Sequence, residues 1–230
     1  AYPQMGDLPR TTEELYGKQL HKYTIQNAIH DNAVLGFQVE HNGPKNMADE
    51  TDSIIYESEA HMLSVLDVIL NKSYHKLGFQ NGKGKTYEGL LTTSSIQMAQ
   101  KYELAQIQSY NGNLNKRLAR KDPKFQSRNE QLDLVIVVDR LLTGFDAPCM
   151  STIFIDRQPM GPHDLIQAFS RTNRIYDKNK TYGQIVTFQA PKLFKESVDN
   201  AVKLYSAGST ESALVAEWDE IEPAFRKALK

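Results

Sequence analysis

Three short runs constrain this chain most: "LDLVIVV" at 132–138, "STIFID" at 151–156 and "GQIVTF" at 183–188. Each is almost continuously apolar and rich in β-branched residues, the composition of strands covered on both faces. Between the last two lies "LIQAFSRTNR", whose apolar residues recur at helical spacing. Strands that alternate with helices in this way predict an α/β fold, a parallel sheet with helices on both faces.

The flanking segments extend the pattern. "YTIQNAIHDNAVLGFQVE" reads as a helix to about His30, a turn at Asp31–Asn32, and a strand in which Leu35, Phe37 and Val39 alternate with polar or small residues. Met62, Leu66, Ile69 and Leu70 keep helical spacing. "YEGLLTTSS" reads as a strand running into a helix, with Ser94 or Ser95 as N-cap. Thr11 with Glu14 forms a capping-box pattern for a short helix through Tyr16, and two helices, about 191–206 and 211–229, finish the chain.

Composition excludes several classes. The formal net charge of -1 gives no global basic field, so any nucleic-acid surface must be local. Cys149 is the only cysteine, which rules out an internal disulfide framework and suits a reducing, cytoplasmic setting. No apolar run approaches the roughly 20 residues that span a bilayer. The chain opens on Ala1 and a loop-like stretch to Arg10, the character of a fragment of something longer. The six histidines show no metal-ligand spacing with the cysteine. Gly84-Lys85-Thr86 imitates a phosphate-binding loop, but the glycine that motif needs at 79 is Phe79, and the stretch precedes a strand rather than following one. "DETD" (49–52) and "DEIE" (219–222) imitate a magnesium-holding acidic box. The first lies in a polar loop and the second in a helix, so both read as solvated acids.

One constellation survives. If 165–174 is a helix, Gln167, Arg171 and Arg174 fall within roughly 60° of one another, opposite Leu165 and Phe169. The loop after 132–138 carries Thr143, Gly144, Phe145 and Asp146: a hydroxyl, a backbone open to close approach, and a carboxylate. Ligands of open α/β sheets bind beyond the carboxyl ends of the strands, which predicts both groups at that edge. Two guanidiniums and a carboxylate suit a polyphosphate; the alternative is a solvated helix face. The basic run "NKRLARKDPKFQSR", with Arg117 and Arg120, is either solvated or a DNA-backbone contact.

"LLTGFDAP" followed by "QAFSRTNR" resembles helicase motifs V and VI of superfamily 2 DNA translocases, and "LLTTSSIQMAQKY" resembles motif IV. With its flanks, "LDLVIVVDRLLTGFDAPCMSTIFIDRQ…LIQAFSRTNRIYD…GQIVTF" resembles the motor (R) subunit of type I restriction enzymes, over about residues 11–206. The resemblance implies the second of two RecA-like lobes that hold ATP between them. It implies an entry segment at 1–40, the lobe at 41–190 and a helical extension at 191–230. By position, Arg174 would be the arginine finger, with Arg171 and Gln167 beside it. Gly144 and Asp146 would face the nucleotide and Thr143 the DNA. Ser94 and Ser95 would hold a DNA phosphate, unless they are ordinary caps. ATP and Mg2+ would bind mainly through a first lobe that this sequence does not contain; the nuclease domain is missing too. Double-stranded DNA and the methyltransferase (M) and specificity (S) subunits are the implied partners. The whole enzyme would couple ATP hydrolysis to DNA translocation before cleavage. Another superfamily 2 helicase, or a non-catalytic helicase-like DNA-binding module, are the alternatives. The intervals around 41–55 and 107–113 are shorter than the family usually shows.

Overall fold

The computed structural model describes residues 17–18, 20–43, 53–78, 87–102, 120, 123–125, 131–138, 146–157, 160–206, 213–216 and 218–228. The Thr11–Glu14 cap, the 49–52 acids, Gly84-Lys85-Thr86, Arg117, Thr143, Gly144 and Phe145 lie outside these residues.

Five strands form one sheet: β1 (Phe37–His41), β2 (Glu88–Thr93), β3 (Leu134–Val137), β4 (Met150–Asp156) and β5 (Gly183–Thr187), in the order β1-β5-β4-β2-β3. Every pairing is parallel. β4 and β2 are buried along their whole length, as their continuous apolar runs require. β3 departs from the expectation. It is an edge strand, its Leu134, Val135 and Ile136 only half-buried, so an apolar run did not mean cover on both sides.

The helices among the described residues are α1 (Ile25–His30), α2 (Ser53–Tyr56), α3 (Glu59–Asp67), α4 (Ile96–Tyr102), α5 (Pro162–Phe169), α6 (Pro191–Tyr205) and α7 (Trp218–Ala228). Two apolar layers result. Ile153, Ile155 and Ile185 pack with Leu165 and Phe169 of α5 and Phe194 and Val198 of α6. Leu91, Phe154 and Val186 pack on the other face with Met62 and Val65 of α3 and Met98 and Tyr102 of α4. After α3 the backbone widens into a π-turn at Val68–Lys72 and then tightens into a 3-10 turn at Tyr74–Leu77. The expected turn after α1 is present, with Asn32 in the left-handed region at φ 55. Residues 213–215, expected in the last helix, instead pair with Phe37 and cover the outer edge of β1: Phe37 N–H donates to the Ala213 carbonyl (2.9 Å) and Val215 N–H to that of Phe37 (2.8 Å).

A parallel sheet forces each connection back from the carboxyl edge to the amino edge. α5 starts beyond the end of β4, with Gly161 as N-cap, Pro162 in the first turn and Asp164 toward the positive end of the helix. It ends at Phe169, and the chain then turns tightly against the first residue of β5. A Cβ built on Gly183 would stand 2.3 Å from Thr172 Oγ1 and 3.1 Å from the Thr172 carbonyl carbon. Gly183→Ala should therefore cost about 1–3 kcal/mol through overpacking. Gly161→Ala, whose nearest neighbour would be Asp164 Oδ2 at 3.7 Å, should shift the thermal midpoint far less. Equal midpoints for the two variants would show that the 170–183 turn is not seated as described.

Candidate functional site

The segment "SRTNR" is not helical. Two side chains and one backbone bond take the chain out of the helix: Ser170 Oγ donates to the Gln167 carbonyl (2.8 Å), Thr172 Oγ1 to that of Phe169 (2.9 Å), and the Arg171 N–H reaches back only three residues, to Ala168 (3.0 Å). Ser and Thr compete with helical bonds in this way. Thr172 and Asn173 turn inward and are buried, while the Asn173 carbonyl accepts from Leu35 N–H (2.8 Å) just ahead of β1. Arg171 and Arg174 are left pointing outward on either side of that buried pair, Arg171 half-buried and Arg174 exposed. The outward placement expected of a helix face holds, but an anchored turn produces it.

Arg174 Nε lies 3.3 Å from Asp146 Oδ1, so the two expected groups do meet. Arg171 shares their field. Burial lowers its pKa, Arg174 lowers it further, and Asp146 acts in the opposite sense. Gln167 is engaged elsewhere, with its amide on His163 Nε2 one turn earlier, while His163 Nδ1 meets the Tyr205 hydroxyl of α6 at 2.9 Å.

Lys180, to which sequence reasoning assigned nothing, holds this corner together. Its ammonium is buried and donates to the carbonyls of Pro148 and Arg174, both at 2.7 Å, joining the loop before β4 to the loop before β5. Burial pulls its pKa down to about 8. Asp177 Oδ1 fixes the approach by accepting from the Asn179 and Lys180 N–H groups (3.0 Å each) and from the Tyr87 hydroxyl (2.7 Å). An Asp two or three residues ahead of a turn lysine was the available signal.

The Arg174–Asp146 pair therefore stands at the amino edge of the sheet, before β4 and β5, and not at the carboxyl edge expected from open α/β sheets. The reason is the direction of α5, which carries the chain away from the carboxyl edge before either arginine appears.

Ser94 and Ser95 occupy the opposite, carboxyl edge, directly after β2. Ser95 Oγ accepts from the Met98 N–H (3.1 Å), which is a capping bond, and Ser94 is exposed with its hydroxyl 3.3 Å from Met98 Sδ. β4 alone, seven residues long, puts roughly 20 Å between the two edges. The carboxyl edge is organised by Asp156, fully buried at the end of β4. His61 Nε2 (2.7 Å) and the Gln189 amide (3.0 Å) meet its Oδ1, and the Tyr102 hydroxyl donates to its Oδ2 (2.7 Å). One carboxylate thereby ties α3, α4 and the loop before α6 to the central strand.

Arg120 departs from the expected DNA-backbone contact. It is 7% exposed, with backbone φ 47, and its guanidinium donates to Glu88 Oε1 (3.0 Å) and the Leu132 carbonyl (3.0 Å) at the amino end of β2. A buried, paired arginine on that edge is not a surface contact for a DNA backbone. The charge run hid it because one-dimensional spacing cannot tell the inward arginine from its neighbours. Burial pushes the Glu88 carboxyl up to about 8, outweighing the pull of Arg120, and pushes the neighbouring Cys149 thiol up to about 12, which leaves it inert at neutral pH.

The chain matches the family described as type I restriction enzyme subunit R domain 3 over residues 53–190, more than half its length. Among curated relatives, the endonuclease subunit of the type I restriction enzyme SsaAORF53P of Staphylococcus saprophyticus is 27% identical over 281 residues, covering 96% of this chain and 30% of that protein. The chain thus spans under a third of that relative. The aligned span also exceeds the 230 residues of the chain, so the relative carries stretches that this chain does not. Among solved structures, a fragment described as an HsdR subunit of a type I restriction enzyme from Vibrio vulnificus YJ016 superposes with TM-score 0.55 at 16% identity, over 88% of this chain and 41% of that one. The ATP-dependent type ISP restriction-modification enzyme LlaBIII bound to DNA gives 0.52 at 14%, over 83% and 15%. These likenesses establish the RecA-like fold.

The buried pair generates a pH test. The folded pKa of Glu88 lies above its ordinary 4.5, so folded chains keep a proton that unfolded chains release between about 4.5 and 8. Stability from this group is complete below 4.5 and is lost as pH rises through 8. Urea midpoints across that range should fall more steeply for the wild type than for Glu88→Gln. Parallel profiles would show that Glu88 is ionised throughout.

Proposed function

The chain belongs to the type I restriction enzyme R-subunit family, and from that premise we propose that it is the second motor lobe of an enzyme that couples ATP hydrolysis to translocation of double-stranded DNA before cleavage. Residues 1–40 lead into the lobe, 41–190 form it and 191–230 extend it with helices. One observation supports this reading above the others: two outward arginines and one aspartate are held at the amino edge by buried anchors, on the opposite side from Ser94.

That edge fits a phosphate chain. Arg171, Arg174 and Lys180 outnumber Asp146 and Asp177 by one charge, so the corner is electropositive where a preceding lobe would present a nucleotide. Arg174 acts as the arginine finger, its guanidinium oriented through Nε by Asp146 and its peptide carbonyl pinned by Lys180. A pre-positioned guanidinium loses little entropy when charge develops on the phosphoryl group in transit, and stabilises it there. Arg171 adds a second positive charge. Asp146 and Gly144 approach the nucleotide. Mg2+ would be held with ATP chiefly by the preceding lobe. Gln167 keeps the end of α5 in place through His163 rather than touching phosphate.

At the carboxyl edge, Ser94 and the N–H groups after it meet the DNA backbone, a contact that positions without reading sequence. The M and S subunits supply recognition. Among the described residues no helix is long and apolar enough to cross a membrane, and the reading places the protein in the cytoplasm.

In the parent subunit, Arg174→Ala should reduce DNA-stimulated ATP turnover by roughly 10³-fold or more, the scale of a lost arginine finger. Arg174→Lys should recover little, because an ammonium lacks the planar fork. Circular dichroism should show a folded protein, since Arg174 is exposed. Near wild-type turnover by a folded Arg174→Ala protein would sink the arginine-finger assignment and leave Arg174 a solvated side chain.

A further inference from the structure

A polar cavity of about 250 Å³ opens at the amino edge beside this corner, on the sheet face that carries α3. Gln38 and Gln184 are direct register partners on the neighbouring strands β1 and β5, so their amides stand side by side on its wall. Tyr182 (40% exposed) lines it with the buried Tyr87, and Thr181 and Asn179 add a hydroxyl and an amide. Lys180 lines the same cavity while its ammonium holds the Arg174 carbonyl, so the cavity and the arginine share one wall.

The charges at this cavity are already committed. Lys76 is buried against Glu40, and Lys180 donates to two carbonyls. Among the described residues, the exposed Gln38 amide and the half-buried Gln184 amide have no partner in the protein. Lys180 keeps its positive charge at the wall shared with Arg174, while the groups the cavity leaves uncommitted are uncharged: the two Gln amides beside an exposed tyrosine. Away from that wall a phosphate gains little. A flat heterocycle with donors and acceptors on one edge gains most, since Gln and Asn amides can bond two-point to adenine, and bases stack on aromatic rings.

We infer that this cavity is the seat of the nucleotide's purine base, with Gln38 and Gln184 reading its edge and Tyr182 covering its face. The inference rests on the amino edge being the nucleotide side. It deepens that reading by making this lobe a contributor to base selection as well as to phosphate chemistry.

The test uses the parent R subunit with DNA and measures turnover against ATP and GTP concentration. For Gln38→Ala combined with Gln184→Ala, KM for ATP should rise about tenfold and the preference for ATP over GTP should shrink. Tyr182→Ala should raise KM for both nucleotides several-fold, while Tyr182→Phe, which keeps the ring, should resemble the wild type. Thermal melts confirm folding, and a poorly folding double variant is replaced by either single substitution, read the same way. Unchanged KM and unchanged base preference in these variants, with Arg174→Ala inactive, would overturn the base seat and leave the arginine finger standing. If Arg174→Ala is also fully active, the nucleotide reading itself has failed.

Discussion

All five strands point the same way, and the chemistry of the molecule depends on that single constraint. Parallel neighbours cannot be joined by tight turns, so every crossover must carry the chain from the carboxyl edge back to the amino edge. The two edges are consequently built from different parts of the sequence. Residues immediately after strands, such as Ser94 and Asp156, gather at one. Residues immediately before strands, such as Asp146, Arg174 and Lys180, gather at the other.

Each edge is stiffened by one buried charged group. At the carboxyl edge the Asp156 carboxylate collects three donors from three surrounding elements, and both its oxygens are satisfied. At the amino edge the Lys180 ammonium binds two loop carbonyls that precede neighbouring strands. A loop held through its backbone can leave its side chains to a ligand, which is how Arg174 stays exposed yet positioned. Glu88 and Arg120 extend the amino edge toward β3 and fix one arginine of the basic run to the scaffold.

Much of this was legible in the sequence because burial writes itself in composition. The runs at β2, β4 and β5 and the spacing of Leu165 and Phe169 specified a parallel sheet with a helix across it. The order of "LLTGFDAP" and "QAFSRTNR" identified the family. What was not legible has two physical causes. Periodicity reports which side of an element faces inward, and not which edge of a sheet an element's end reaches; the arginines were therefore placed at the wrong edge. A charge run also says nothing of which member turns in, so Arg120 read like its neighbours until its partner Glu88, 32 residues away, was beside it. Lys180 was missed for the same reason, as its partners are backbone carbonyls that any sequence supplies. β3 shows the converse, an apolar run at a sheet edge whose cover depends on what lies next to it.

The central claim is that nucleotide and DNA meet opposite edges of this lobe. Amide hydrogen exchange on the parent R subunit tests it most directly, with a non-hydrolysable ATP analogue and with duplex DNA added separately. The account predicts that the nucleotide slows exchange at 146–150 and 171–183 and leaves 94–98 unchanged, while DNA slows exchange at 94–98 and spares the other two segments. Protection of 171–183 by DNA alone, or of 94–98 by the nucleotide alone, would contradict it.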